Sequence, residues 1–129
     1  MSLKEKIKIM VVDDMSTSRG LVIQALEMFG IKNIQYASNG KEAFDLLLSN
    51  PAHLILSDYN MPGIDGIDLL KLIRNHNLTK NSGFILITGK ADRALIEKGR
   101  ALGMNNFIKK PFTNAELKAC IETVAGKIF

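Results

Sequence analysis

Side chains that could together bind a phosphoryl group follow several short apolar runs of this 129-residue chain. Asp13 and Asp14 come directly after "IKIMVV" at residues 7–12, and Asp58 comes directly after "LILS". Thr88 follows "FILI", and Lys110 comes two residues after the run at 107–108. Clustered carboxylates repel one another unless a cation lies among them, and oxygen ligands favour a hard divalent ion such as Mg²⁺. A lysine and a hydroxyl in the same pocket would complete a phosphoryl-binding site.

Each of these residues also has an ordinary structural role when it is considered alone. Asp13 or Asp14 could cap a following helix, and Asp58 could open a turn in "DYNMPG". Thr88 could be a strand residue, and Lys110 a solvated lysine. Taken together, the five residues favour the chemical interpretation, because separate structural roles do not explain why all of them follow predicted strands.

The arrangement of apolar segments predicts where they would meet. Short runs rich in β-branched and aromatic residues predict buried parallel strands at 7–12, 34–36, 54–56, 84–87 and 107–108. Segments with apolar residues at helical spacing predict helices at 16–29, 41–49, 66–75, 92–101 and 114–127. This alternation predicts an α/β fold, a three-layer αβα sandwich around a parallel sheet. Ligands of such folds bind beyond the carboxyl ends of the strands, which is where the five residues lie.

Composition excludes several classes of protein. Hydrophobic residues make up 47% and charged residues 23% of the chain, which is typical of one soluble globular domain. No apolar run approaches the roughly 18 residues of a membrane span, and the N-terminus lacks a signal-peptide core. We therefore expect a cytoplasmic protein without a membrane partner. The net charge of +4 comes from scattered residues rather than a basic strip, so we expect no nucleic-acid partner.

The single cysteine, Cys120, excludes an intramolecular disulfide and any multi-cysteine metal site. It lies within a predicted helix, in the segment Leu117–Val124, with no histidine nearby in the sequence. We interpret it as a partly buried thiol rather than a nucleophile.

Four stretches together resemble the receiver domain of two-component response regulators. They are "VVDDMSTSR" at 11–19, "LILSDYNMPGIDG" at 54–66, "LITG" at 86–89 and "FIKKPF" at 107–112. The resemblance covers about residues 7–127 and is closest to the single-domain, CheY-like chemotaxis members. It implies one receiver domain over 1–129 without an output domain. It also implies a flavodoxin-like sheet in the order 2-1-3-4-5 with five helices.

The resemblance also assigns roles to individual residues. Asp58 would be the phosphoacceptor. Asp13, Asp14, Asp58 and the backbone carbonyl of Asn60 would hold Mg²⁺.

Further positions of the motifs would bind the phosphoryl group and transmit its arrival. Thr88 would donate a hydrogen bond to that group, and Lys110 would pair with one of its oxygens. The bond before Pro111 would be cis. Phe107 would occupy an aromatic switch position that turns inward when Thr88 moves, although ordinary strand packing explains Phe107 equally well.

In function, the resemblance implies a signalling phosphoacceptor that catalyses its own phosphorylation and dephosphorylation but is not otherwise an enzyme. A histidine kinase, CheA-like, would supply the phosphoryl group. The face made by the fourth predicted helix, the fifth strand and the fifth helix would then control a target such as a flagellar motor switch protein or another histidine phosphotransfer protein. We expect a monomer. A basic set on and near that face could steer an acidic partner or be merely solvated: Lys90, Arg93, Lys98, Arg100 and Lys109.

Three other functions share part of this evidence. A phosphorelay shuttle or phosphate sink would use every one of the same site residues. A Mg²⁺-dependent phosphohydrolase is disfavoured because the chain offers no cap domain for a substrate. A flavin-binding module is disfavoured because no phosphate-cradling loop rich in serine, threonine and glycine follows the first strand, where "DDMSTSR" is acidic instead.

Overall fold

The computed structural model of the protein describes residues 2–90 and 92–126. Its strands are β1 (Lys8–Val12), β2 (Asn33–Ala37), β3 (Leu54–Asp58), β4 (Gly83–Thr88) and β5 (Asn106–Lys109). Its helices are α1 (Leu3–Lys6), α2 (Ser16–Met28), α3 (Gly40–Ser49), α4 (Gly66–Arg74), α5 (Arg93–Ala101) and α6 (Asn114–Ala125). None of the helices in these two ranges has the length and apolarity needed to cross a membrane.

The five strands form one parallel sheet in the order β2-β1-β3-β4-β5, which confirms the predicted topology. Each predicted strand lies within an observed strand except the first, which begins one residue later, at Lys8. The prediction of five helices was one too few, because the four-residue α1 is too short to show helical periodicity. Its C-cap is Ile7, whose amide donates to the carbonyl of Leu3 at 2.9 Å. The last helix ends at Ala125, and position 127 lies outside the described residues.

Alternation along the strands divides the core into two layers, as a parallel sheet covered on both faces requires. On one face, Phe84 and Leu86 of β4 pack with α3, α4 and α5. On the other face, Ile85 and Ile87 of the same strand pack with α2 and α6. The predicted three-layer sandwich is therefore confirmed, and successive residues of β4 serve opposite layers.

The guanidinium group of Arg74 joins the two loops that precede β4 and β5. Arg74 donates to the carbonyl of Ser82 at 2.6 Å and to that of Lys80 at 2.9 Å. It also donates to the carbonyl of Gly103 and, at 2.9 Å, to Oδ1 of Asn105. The loops that precede β4 and β5 are thus fixed to the end of α4 by a single side chain.

We expect Arg74→Ala to lower the free energy of unfolding by about 3 kcal/mol, because several carbonyls lose a charged donor at once. Denaturant unfolding monitored by circular dichroism measures this loss. Arg93→Ala is a suitable control, because Arg93 makes an exposed ion pair with Glu97 at 2.9 Å. Such a pair is worth at most about 1 kcal/mol. Equal effects of the two substitutions would contradict the prediction.

Candidate functional site

The register of the sheet brings the chemically active residues to one edge. Val12 pairs with Ser57, Asp58 with Ile87, and Thr88 with Lys109, so β1, β3, β4 and β5 end at nearly the same level. The loops that leave these strands therefore begin side by side.

Asp58 is the last residue of β3 and only 5% exposed. Its Oδ1 lies 3.0 Å from Nζ of Lys110, and the two groups form an ion pair. Burial raises the pKa of the Asp58 carboxyl above its ordinary value, and the charges of Asp13 and Asp14 raise it further. Hydrogen bonding and charge attraction from Lys110 oppose this rise in pKa. The site thus holds a desolvated carboxylate against one lysine.

The carboxylates of Asp13, Asp14 and Asp58 meet in one cluster, each offering an oxygen within 4.8 Å of the others. Asp13 and Asp58 are buried, whereas Asp14 is exposed. An oxygen-only donor set of this charge fits a hard divalent cation such as Mg²⁺. Asn60 is exposed and lies two residues beyond Asp58, in the loop that follows β3.

Asp13 lies in the turn before α2 but does not cap this helix, whose N-cap is Met15 without a side-chain cap hydrogen bond. Its Oδ1 accepts a hydrogen bond from the backbone amide of Met15 at 3.0 Å, which leads the chain into α2. Its Oδ2 accepts from the hydroxyl of Ser18. The sequence interpretation did not single out Ser18. Its only signal was a hydroxyl five residues after an acidic residue, within the quoted motif "VVDDMSTSR".

Lys110 and Thr88 are joined through the backbone at the ends of β4 and β5. The amide of Lys110 donates to the carbonyl of Thr88 at 2.8 Å, and the bond between Lys110 and Pro111 is cis, as the resemblance implies. The hydroxyl of Thr88 accepts from the amide of Lys90 at 3.0 Å, within its own loop. Lys110 therefore contacts Asp58, while Thr88 is buried nearby and hydrogen-bonded to Lys90.

Comparison with known proteins agrees with this geometry. The family model described as "Response regulator receiver domain" matches residues 9–122. The chain belongs to the response regulator receiver domain family.

Named relatives resemble this receiver domain over nearly its whole length. The probable chemotaxis protein CheY of Rhizobium etli is 44% identical over 128 residues, which are 99% of each chain. Chemotaxis protein CheY-3 of Vibrio cholerae is 38% identical, over 98% of this chain and 97% of its own. A solved structure of Vibrio cholerae CheY4 superimposes with a TM-score of 0.86 at 26% identity, covering 92% of this chain and 98% of its own.

Phe107 lies on the same side of the receiver sheet as Thr88. It pairs with Leu86 in the register of β4 and β5, is half-buried, and packs against the layer formed with α3, α4 and α5. Thr88 is two residues beyond Leu86, so alternation places its side chain on that face too. The two candidate switch residues are therefore neighbours across adjacent strands. Because α1 adds one to the count, the predicted output face is α5–β5–α6.

Gly66 lets the first turn of α4 approach the end of β3 in this receiver. A Cβ atom at this position would lie 2.7 Å from the carbonyl oxygen of Asp58 and 2.9 Å from Cα of Tyr59. The amide of Gly66 donates to the carbonyl of Tyr59 at 2.9 Å. The loop that follows Asp58 is thus closed against a helix at a contact that only glycine permits.

We expect Gly66→Ala to destabilise the protein by about 2 kcal/mol, because backbone atoms must move to admit the methyl group. Thermal and denaturant unfolding measure this cost. Gly20→Ala provides the opposite control: Gly20 lies in α2 with no atom within 4 Å of an added Cβ. It should gain up to about 1 kcal/mol from helix propensity. If Gly66→Ala left the free energy of unfolding unchanged, the contact between α4 and the end of β3 would not be tight, contrary to this prediction.

Cys120 lies in the receiver core, as interpreted from the sequence. It is 8% exposed, and its Sγ lies 3.6 Å from the carbonyl of Phe107. Burial raises the pKa of its thiol to about 11. The group is therefore protonated at neutral pH and unsuited to nucleophilic attack.

Proposed function

We propose that the protein is a phosphorylation-activated response regulator in chemotaxis, with Asp58 as its phosphoacceptor. The observation that carries this proposal is the Asp58 carboxylate held 3.0 Å from Lys110 within a cluster of three acidic residues. A buried carboxylate with a fixed cation on one side and room for a metal on the other is suited to phosphoryl transfer. The names of the relatives support chemotaxis as the pathway.

In the reaction we propose, an oxygen of Asp58 attacks the phosphorus of a phosphohistidine on a histidine kinase. The phosphorus–nitrogen bond breaks, a phosphorus–oxygen bond forms, and an aspartyl phosphate remains on Asp58. Lys110 pairs with a phosphoryl oxygen as negative charge spreads over the group. Mg²⁺, held by Asp13, Asp14, Asp58 and the carbonyl of Asn60, would supply charge neutralisation at the same oxygens.

The same residues support an enzyme-like capacity limited to the protein's own phosphoryl group. Attack by water on the aspartyl phosphate would return Asp58 and release inorganic phosphate, so the domain would catalyse its own phosphorylation and dephosphorylation. We propose that it acts in the cytoplasm as a single receiver domain over 1–129. Its signal would be a change of shape rather than turnover of a substrate.

The change of shape would begin at Thr88. In the structure the Thr88 hydroxyl donates its proton to the carbonyl of Lys90 at 3.2 Å, so donation to a phosphoryl oxygen requires this bond to break. Movement of Thr88 would free space on the face it shares with Phe107, which is half-buried. The α5–β5–α6 face would then bind its target, such as a flagellar motor switch protein. The equilibrium shifts only by the difference in contact energy between the two states.

We propose that a groove beside the site receives the kinase that delivers the phosphoryl group. It has a volume of about 630 Å³ and runs from Asp13 and Lys110 along α2 to the start of α6. Leu21 and Met28 line it and are 64% and 70% exposed. A phosphohistidine must reach Asp58, so the part of the kinase that bears it must lie over the site beside this groove. Apolar residues next to that histidine would bury Leu21.

We expect Leu21→Asn to slow phosphotransfer from a kinase phosphohistidine roughly tenfold, because one apolar anchor is lost. Labelling by acetyl phosphate, which needs no docking surface, should not change. Leu46→Asn is the matched control, because Leu46 is 39% exposed on α3, on the other face of the sheet. Loss of both reactions, or of neither, would contradict a docking role for the groove.

The experiment that tests the proposed function is intact-protein mass spectrometry after incubation with acetyl phosphate. We expect one phosphoryl adduct in the presence of Mg²⁺ and none in the presence of a chelator. If no adduct forms, binding of beryllofluoride, a mimic of the phosphoryl group, separates a short-lived product from a domain that works without phosphorylation. No adduct and no beryllofluoride binding would overturn the proposal.

A phosphorelay shuttle or phosphate sink remains the alternative within the family. It shares every site residue, but the names of the similar proteins favour the control of chemotaxis. Transfer of the phosphoryl group from Asp58 back to a histidine protein would support the alternative.

A further inference from the structure

We propose that Ser18 is a positioning residue that orients the Asp13 carboxylate for Mg²⁺. The inference rests on the proposed function, since it takes the acidic cluster to be the metal site. Ser18 is half-buried in the first turn of α2 and lines the groove together with Asp13 and Lys110. Its hydroxyl donates to Oδ2 of Asp13.

The direction of this hydrogen bond distinguishes positioning from helix capping. The amide groups at the start of a helix need acceptors, and a capping side chain accepts from them. Ser18 instead donates its hydroxyl proton to a carboxylate, so this bond satisfies none of the amides of α2. The group that gains from the bond is the buried carboxylate of Asp13.

Two further groups at the start of α2 donate hydrogen bonds to Asp13. Oδ1 of Asp13 accepts from the amide of Met15 at 3.0 Å. The carbonyl of Asp13 accepts from Nη1 of Arg19 at 2.9 Å, and the Arg19 guanidinium lies 5.3 Å from the centre of the Tyr36 ring. With Met15 and Ser18 each bound to one oxygen, the plane of the carboxylate is fixed.

A carboxylate fixed in this way still has capacity for a metal. An ionised carboxylate accepts about four hydrogen bonds or ligand contacts. The amide of Met15 and the hydroxyl of Ser18 use two of them. The remaining lone pairs are then held in fixed directions beside Asp14 and Asp58. Without Ser18 the carboxylate can turn about its last bond, and binding a cation must restrict that rotation.

The test is a Mg²⁺ titration of the metal-free protein, monitored by amide chemical shifts in nuclear magnetic resonance, with no phosphodonor present. We expect Ser18→Ala to weaken Mg²⁺ binding about tenfold, the lower end of the effect of outer-sphere partners. Ser18→Thr keeps the hydroxyl and should retain most of the affinity. Thr17→Ala, at the exposed preceding position, should bind Mg²⁺ as the wild type does.

A second arm separates positioning from a general change in the helix. In an Asp13→Asn background, Ser18→Ala should cause no further loss of Mg²⁺ affinity, because its partner carboxylate is gone. An equal loss in both backgrounds, or an unchanged affinity in the single variant, would overturn the inference. Thermal unfolding in chelator shows whether Ser18→Ala remains folded.

These outcomes are distinct from failure of the proposed function. If the wild type binds Mg²⁺ and forms the phosphoryl adduct while Ser18→Ala binds Mg²⁺ equally well, only the role of Ser18 is wrong. If the wild type binds no Mg²⁺, both proposals are wrong.

Discussion

Asp58→Asn is expected to abolish the Mg²⁺-dependent phosphoryl adduct completely. The amide has the size of the carboxylate but lacks the anionic oxygen that must attack phosphorus. Of the three clustered acids, Asp58 is the one that forms an ion pair with Lys110, so the other two are not placed to replace it. Intact-protein mass spectrometry after acetyl phosphate treatment measures the adduct, with and without chelator.

The control for this substitution is Asp14→Asn, which removes one acid of the same cluster but leaves the nucleophile. It should weaken the binding of Mg²⁺ without removing the acceptor, so some adduct should remain at high Mg²⁺ concentration. A full adduct on Asp58→Asn would place the phosphoacceptor elsewhere in the chain.

Asp58→Asn should also be more stable than the wild type at neutral pH in the absence of metal. The pKa of Asp58 is raised in the folded state, chiefly by burial and further by Asp13 and Asp14. Such a group favours folding while it is protonated, and that contribution is lost as the pH rises through its folded-state pKa. The amide side chain of the variant does not ionise, so Asp58→Asn avoids this loss, although Lys110 loses its partner.

Melting temperatures in chelator across a range of pH measure the effect. The variant should melt a few degrees higher than the wild type at pH 7. The difference should shrink as the pH falls towards roughly 4, near the pKa of an unfolded aspartate. Added Mg²⁺ should raise the melting temperature of the wild type by mass action, and that of the variant less, because the variant lacks one of the three clustered carboxylates. A variant that is less stable at neutral pH would mean that the Lys110 ion pair outweighs burial.

The fold was predictable because its signals are local and repeated. A buried parallel strand such as β3 is apolar on both sides, so "LIL" is distinctive in the sequence. The carboxyl ends of the strands were harder to predict. Ser57 and Asp58 continue β3 although both are polar, because the sheet pairs them with Val12 and Ile87. The register of neighbouring strands, rather than residue preference, extends a strand there.

The positions of the site residues were predictable for a related reason, whereas their contacts were not. Parallel strands bring their carboxyl ends together, so Asp13 and Asp58 had to be close. The Ser18 contact depends on the phase of α2 relative to β1, and the Gly66 contact depends on how closely α4 approaches β3. Neither distance is encoded in a local pattern. The roles assigned to the site residues stay predictions, including those of Thr88, Asn60 and Phe107, because they concern a bound Mg²⁺ or a phosphorylated state.

Lys110→Ala is expected to slow labelling by acetyl phosphate on the order of 100-fold, the cost of removing one fixed charged donor from a reacting oxyanion. In the structure its Nζ already lies 3.0 Å from the carboxylate of Asp58, the proposed nucleophile. The amide of Lys110 also donates to the carbonyl of Thr88 at 2.8 Å, and alanine retains that bond. The variant therefore removes the ammonium group while the backbone connection between β4 and β5 can persist.

The pH dependence of labelling gives this substitution a second signature. Lys110 lowers the pKa of Asp58 through a hydrogen bond and through charge, opposing the effect of burial. Without it the carboxyl keeps its proton to higher pH, and only the ionised form can attack. The acid limb of the pH–rate profile should therefore move to higher pH in Lys110→Ala. Raising the pH should recover the part of the rate that was lost to protonation, but not the part that needs the charge on the phosphoryl oxygen.

Lys109→Ala provides the matched control, because Lys109 is the adjacent lysine, is exposed, and ends β5. It should label at the wild-type rate with an unchanged pH profile. A similar slowing in both variants would indicate that the overall positive charge of this edge attracts the phosphodonor. Slowing in Lys110→Ala alone, with the shifted acid limb, requires the ammonium group to act at Asp58 itself, since only that position changes both the ionisation of the nucleophile and the rate of its attack.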